Sequence, residues 1–181
     1  MIRIFLLTLF FLGCQYQAPK PYAALALHYP AAQYNDFKPN ACSYRFKYNV
    51  VSTPVQLSSC GTTLDYSLLK AKVYVTYFDL SKTSLDTLFM DFENRLKIFG
   101  KGTQRINEST YEDKEKDVLG SCVTLIGNSP SNLHFFATDT KRHFISGSLL
   151  FSAAPNYDSL APAIIYIRND IQKILETLSW Q

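Results

Sequence analysis

The amino-acid sequence predicts an α+β domain: an antiparallel sheet of about five to seven strands, with two main helices packed mostly on one face. Three observations carry that expectation. Phe and Tyr number 13 and 12, and aromatic residues make up 14% of the chain, a composition suited to half-buried strands. Only two stretches switch from a period of two to the helical period. Hairpin-length links join the later strands, which favours antiparallel pairing.

Taken in order, Tyr44, Phe46, Tyr48 and Val50 alternate with Arg45, Lys47 and Asn49, the pattern of a half-buried strand. Pro54 to Asp65, with Gly61, reads as a loop or a short strand. Lys72 to Phe78 is apolar on both faces and is therefore expected at the centre of the sheet. Within Ser81 to Phe99, the residues Leu85, Leu88, Phe89, Phe92, Leu96 and Phe99 share one helical face. Thr83 with Asp86 suits a capping box, and Gly100 or Gly102 closes the helix. Thr103 to Glu112 reads as an exposed strand, Glu112 to Asp117 as a charged turn, and Val118 to Ile126 as a buried strand. His134 to Thr138 and His143 to Ser152 form a hairpin about Asp139-Thr140-Lys141-Arg142. Asn156 to Leu178 is the second helix, capped by Asp158 or Ser159, with Pro162 in its first turn. Its buried stripe is Leu160, Ile164, Ile167, Ile171, Leu175 and Leu178.

The chain starts differently. Met1-Ile2-Arg3 precedes an apolar run, Ile4 to Leu12, that is too short to span a bilayer and has the form of a secretory signal. Phe11-Leu12-Gly13-Cys14 is similar to a bacterial lipobox, in which the cysteine takes the lipid and cleavage follows on its N-terminal side. Residues 1–13 are thus expected to leave as a signal peptide, 14–40 to form a lipidated tether, and 41–181 to fold as one α+β domain. The tether holds four of the eight prolines, with room for a short docked strand around Ala24 to Tyr29. Several acyl chains on Cys14 would give stable anchoring, where one alone is marginal. Neither an Asp directly after Cys14 nor an acidic cluster is present, so the expected location is the outer membrane, facing the periplasm. That oxidising compartment permits a disulfide, and Cys42 and Cys60 flank the Tyr44 strand closely enough to staple its ends. Cys122 reads as a buried small hydrophobe.

Composition excludes several functions. A formal charge of +3, falling to +2 once Arg3 leaves with the signal, is too weak for a nucleic-acid footprint. Cysteine and histidine spacing supports no metal, and no phosphate loop, dinucleotide turn or nucleophile elbow implies a cofactor. A hairpin folded at Asp139-Thr140 would bring His134 and His143 near each other with Asp139, and Ser131 or Ser146 could then serve as nucleophile. That defines an alternative, a periplasmic small-ligand binder or hydrolase; the plainer reading is two strand-end histidines beside a polar turn. Asp170 and Glu176 fall opposite the apolar stripe of the second helix, near Arg168 and Lys173, as surface ion pairs would. Tyr44, Tyr48, Tyr74 and Tyr77 suit ordinary sheet packing, with some exposed aromatic patch expected among so many rings.

Ile126-Gly127-Asn128, Ser129-Pro130, Phe135 to Asp139, His143 to Phe151, Asp158 to Pro162 and Glu176 to Trp180 together resemble the gliding-motility lipoprotein GldD family of the Bacteroidetes. The resemblance extends over roughly residues 118 to 180, with earlier echoes in Pro19-Lys20-Pro21, Cys42, Tyr44, Phe46 and Cys60. Ser146 stands where the family pattern has an Arg, and Tyr22 to Leu27 is more apolar than the family segment. The resemblance implies a non-enzymatic accessory lipoprotein of the gliding and type IX secretion machinery that supports a partner lipoprotein, GldJ. It supplies no catalytic residues. Partner contact is expected through Phe135, Phe136, Asp139, His143 and Phe144 on the hairpin.

Overall fold

The computed structural model describes residues 29–152, 154 and 156–181. The signal segment, Cys14, His28 and most of the tether lie outside the described residues. The elements are β1 (Tyr34–Phe37), β2 (Tyr44–Asn49), β3 (Thr53–Gln56), β4 (Thr62–Tyr66), β5 (Ala71–Asp79), α1 (Leu85–Phe99), β6 (Thr103–Asp113), β7 (Val118–Gly127), β8 (Leu133–Thr138), β9 (His143–Phe151), α2 (Tyr157–Thr177) and β10 (Ser179–Trp180). Seven strands form one antiparallel sheet in the order β3-β4-β5-β9-β8-β7-β6, and a smaller sheet has the order β1-β2-β10. The α+β class and the antiparallel sheet with two helices follow the sequence expectation.

The helices do not share a face, contrary to that expectation. Gly120, Ala137 and Ile145 stand opposite one another across β7, β8 and β9, as do their sequence neighbours Ser121, Phe136 and Ser146. Opposed residues point the same way and neighbours point oppositely. The first row faces α2: a Cβ on Gly120 would meet Leu175 at 3.3 Å. The second row faces α1, where the Phe92 and Phe89 rings each lie 5.1 Å from that of Phe136. Hydrophobic periodicity reveals which side of a helix is buried but not which side of the sheet receives it. The interior strands are apolar enough on both faces to accept one helix each.

The α2 side carries the larger core, because the small sheet closes over it as well. Tyr44 of β2 stacks on Tyr77 of β5 at 5.7 Å. Tyr44, Phe46, Leu64, Tyr66, Val73, Phe135, Ile145 and Leu149 pack there against Ile164, Ile167, Ile171 and Ile174. Each such side chain contributes roughly 1.5–3 kcal/mol. Under α1 the buried set is Phe92, Val123 and Leu125.

Several local readings shift. Thr62–Tyr66 is a buried strand and Thr53–Gln56 a sheet edge; Pro54 suits that edge, where a missing N–H costs nothing. Lys72 to Phe78 lies in the sheet interior as expected, yet Tyr74 is 39% exposed because α1 leaves that part of its face uncovered. Ser84, not Thr83, caps α1 by accepting from the Thr87 N–H. Asn156 caps α2, one turn-fraction before Asp158 or Ser159, and accepts from the Ser159 N–H. Pro162 therefore falls inside the helix rather than in its first turn. β1, a tetrapeptide with Tyr34 and Phe37 at its ends and no alternation to betray it, pairs with β2 from Tyr34↔Asn49 to Phe37↔Phe46, so residues assigned to the tether join the folded body.

Cys42 and Cys60 are bonded, with Cα atoms 5.5 Å apart across a separation of 18 residues. The link ties the lead into β2 to the turn before β4, where the Tyr44 hydroxyl also donates to the Cys60 carbonyl at 2.9 Å. Reduction, or serine at both positions, is expected to lower stability by about 3 kcal/mol under the chain-entropy account. An unchanged urea midpoint would remove the disulfide from the list of stabilising features.

Candidate functional site

The hairpin residues do not form one surface. Phe135 and Phe144 are fully buried, and Phe136 is half-buried, stacked on Phe144 at 5.7 Å and capped edge-on by Phe89 and Phe92. These rings serve the two cores, so a partner cannot reach Phe135 or Phe144 without unfolding the sheet. Asp139 and His143 are each 8% exposed. The Asp139 carboxylate accepts from the backbone N–H groups of Lys141, Arg142 and His143 at 2.8–2.9 Å. Burial alone would raise its pKa, but those donors outweigh it and hold the carboxyl below its usual range. Asp139 shapes the turn, which passes through Thr140 at a φ of 60°.

The two histidines stay apart. His143 lies on the α2 side, its Nδ1 2.8 Å from the Tyr77 hydroxyl and its ring stacked on Trp180 at 5.2 Å. His134 lies on the α1 side, tilted against Phe99. It pairs with Ser148, five residues from His143 along β9, or roughly 17 Å at about 3.4 Å per residue. His134, Asp139 and His143 thus share no pocket. An even offset across a hairpin would have kept both rings on one face; the observed register does not.

His134 Nε2 donates to the Ser131 carbonyl at 3.2 Å, and burial pushes its pKa down to about 4. The ring is neutral, and its Nδ1 has no partner among the described residues. Above it, Arg95 of α1 donates from Nη2 to the Ser146 hydroxyl, while its buried Nε has no partner either. Ser146 thus receives a guanidinium from α1. Burial pushes the Arg95 pKa down, opposed only by the Asp91 charge.

The second polar cluster overturns a sequence expectation. Asp170 is not on a solvent face of α2: it is 1% exposed. Its Oδ1 accepts from the Tyr34 hydroxyl at 2.8 Å and its Oδ2 from the Tyr66 hydroxyl at 3.0 Å, with Asn49 Nδ2 3.0 Å from both. Tyr166 accepts from Asn49 at 2.9 Å and donates to the Pro30 carbonyl at 3.0 Å. Among the described residues no cation pairs with Asp170. Burial raises its pKa, and the Tyr34, Asn49 and Tyr66 hydrogen bonds hold that rise back. The periodicity of α2 missed Asp170 because the small sheet covers a second flank of the helix. The alternation of β2 likewise put Asn49 on the polar face with Arg45 and Lys47, whereas it is fully buried and Val50 is exposed, so no sequence signal marked this cluster.

Cys122 is buried, with its thiol pushed up to about 12 by that burial. No group of three or more His, Cys, Asp or Glu side chains among the described residues is placed to hold a metal ion. No described helix is long and apolar enough to cross a membrane.

The sheet, its two flanking helices and its packed hairpin define a two-sided α+β domain whose buried polar residues mostly hold structure. The family model for the gliding motility lipoprotein GldD matches residues 14–180, and the chain belongs to that family. Membership carries lipid anchoring and association with the cell envelope. No curated protein matches the chain. Among solved structures, the cyanobacterial PsbP protein CyanoP from Synechocystis is similar at 10% identity and a TM-score of 0.45, covering 86% of this chain and 96% of that one.

Proposed function

We propose that the protein is a lipid-anchored accessory component of the gliding motility and type IX secretion apparatus, acting through protein–protein contact to support a partner lipoprotein such as GldJ. The observation that carries this reading is that the family match begins at Cys14, the residue the lipobox assigns to the lipid. Outer-membrane residence facing the periplasm follows from the residues after Cys14. Confinement to a membrane raises the effective concentration of the partner without any new contact. Because the hairpin rings are buried, contact falls to the exposed turn at Thr140, Lys141 and Arg142, with Asp139 and His143 setting its shape.

Cys14→Ala is expected to leave the protein unanchored and to fail in complementing a deletion strain. Full gliding motility from that variant would overturn the anchoring claim. Affinity purification of the wild type from membranes, through a C-terminal tag, is expected to recover a gliding or secretion lipoprotein. Recovery of none would overturn the accessory role.

A further inference from the structure

On the α1 face, beside the hairpin ladder, an open cleft of about 310 Å³ runs between α1 and the β5–β9 pair. Phe78, Leu88, Ile98 and Phe144 form its walls, and Arg95 lines it together with Asp91 and Asn94. The cleft is within the size range of small-ligand sites.

Arg95 gives the cleft a chemical preference. Its guanidinium lies over the Phe92 ring at 5.8 Å, bonded to one neutral hydroxyl, with Nε buried and unpartnered. Among the described residues no carboxylate lies within 4.0 Å of it. A guanidinium offers a fork of donors that fits a carboxylate, and a half-buried cation without a counter-ion is costly to hold. Asp91, one helical turn earlier, is exposed and stands at the rim.

The walls decide what the carboxylate is attached to. The cleft lies on the face of β5 and β9, whose backbone N–H and C=O groups point along the sheet rather than out of it. β4 covers β5 only over Ala71–Val75, and the middle of α1 bonds to its own backbone. No backbone donor or acceptor of the strand faces or of the middle of α1 points into the cleft to satisfy a peptide, whose amides would then lose their hydrogen bonds. An acyl chain has no such groups and loses only contact with water.

We propose that this cleft binds the carboxylate of a medium-chain fatty acid, its headgroup on Arg95 and its chain along Phe78, Leu88, Ile98 and Phe144.

The test is titration of the folded domain with decanoate, below its micelle concentration, followed by amide NMR shifts and calorimetry. Decanol serves as the uncharged control, and the free acid of Val-Ile-Leu as the peptide control. Decanoate is expected to shift α1, β5 and β9 resonances and to bind at least about tenfold tighter than decanol, the worth of a charged hydrogen bond. Arg95→Met is expected to erase that difference while keeping the fold, since it removes a poorly solvated cation. Ile98→Glu, on a residue 60% exposed and so tolerant of change, is expected to weaken decanoate by a similar factor. Equal binding of decanoate and decanol, unchanged decanoate binding by Arg95→Met, shifts confined to other elements, or tighter binding of the tripeptide would each overturn the proposal.

Discussion

Asp170→Ala is expected to destabilise the domain by about 3 kcal/mol or more, because it leaves three donors without their shared acceptor. The substitution strips the acceptor from the Tyr34 hydroxyl, the Tyr66 hydroxyl and the Asn49 amide together. Each unsatisfied buried donor costs roughly 1–3 kcal/mol, partly offset because the costly buried carboxylate is gone. Asp170→Asn keeps an oxygen acceptor and is expected to cost far less, near 1 kcal/mol on the scale of one neutral hydrogen bond. Urea unfolding of the two variants separates the readings: equal losses would show that the charge, not the set of hydrogen bonds, is what matters. The pH dependence carries its own sign. Because burial raises the Asp170 pKa in the folded state, the native chain keeps its proton where the unfolded chain has released it. That preference contributes stability present in full below pH ~4, the ordinary carboxylate range, and lost as pH rises through the folded value. Asp170→Asn is expected to lack this slope. The cluster also joins β1, β2, β4 and α2, so local opening of β1 should grow in Asp170→Ala, read as faster amide exchange at Asn35 and Phe37.

Gly147→Ala is expected to cost about 3 kcal/mol, at or above the upper end for added volume in a packed core. A Cβ there would overlap the Phe135 ring and sit 2.5 Å from the Tyr74 carbonyl oxygen. Phe135 stands directly opposite Gly147 across β8 and β9, so the ring lies over the bare backbone and fills the space a side chain would take. Phe135→Leu in the same chain should recover part of the loss, because it moves the aromatic edge away while leaving the contact with Tyr74. The double variant is then expected to be more stable than the sum of the single losses predicts. Simple additivity would mean the backbone contact with Tyr74 accounts for the whole effect.

The two sites differ in how far the sequence announces them. Gly147 lies in a run, His143 to Phe151, whose alternation marks a strand, and its conflict with Phe135 depends on cross-strand register. Register is set by turn geometry, here by Asp139 gathering three backbone N–H groups. The same register separated His134 from His143 and buried the rings expected to meet a partner. Asp170 is one polar residue in an amphipathic helix, and a helical wheel can place it only relative to one stripe. Whether the adjacent flank meets water or the small sheet depends on β1 and β2, contributed from more than 100 residues away in the chain.

By itself the sequence marked the longer elements and the expected point of lipid attachment. Apolar spacing of two or of 3.6 residues is a local property, and so are the lipobox ending at Cys14 and the closeness of Cys42 to Cys60. Class, both helices, the late hairpin and the family follow from such local patterns. The tertiary structure alone decided which face of the sheet each helix covers, which aromatics remain exposed, and that Asp170 and Arg95 are desolvated. Those outcomes depend on long-range packing: burial belongs to what two distant surfaces do when they meet, and a residue's polarity states its preference but not its surroundings.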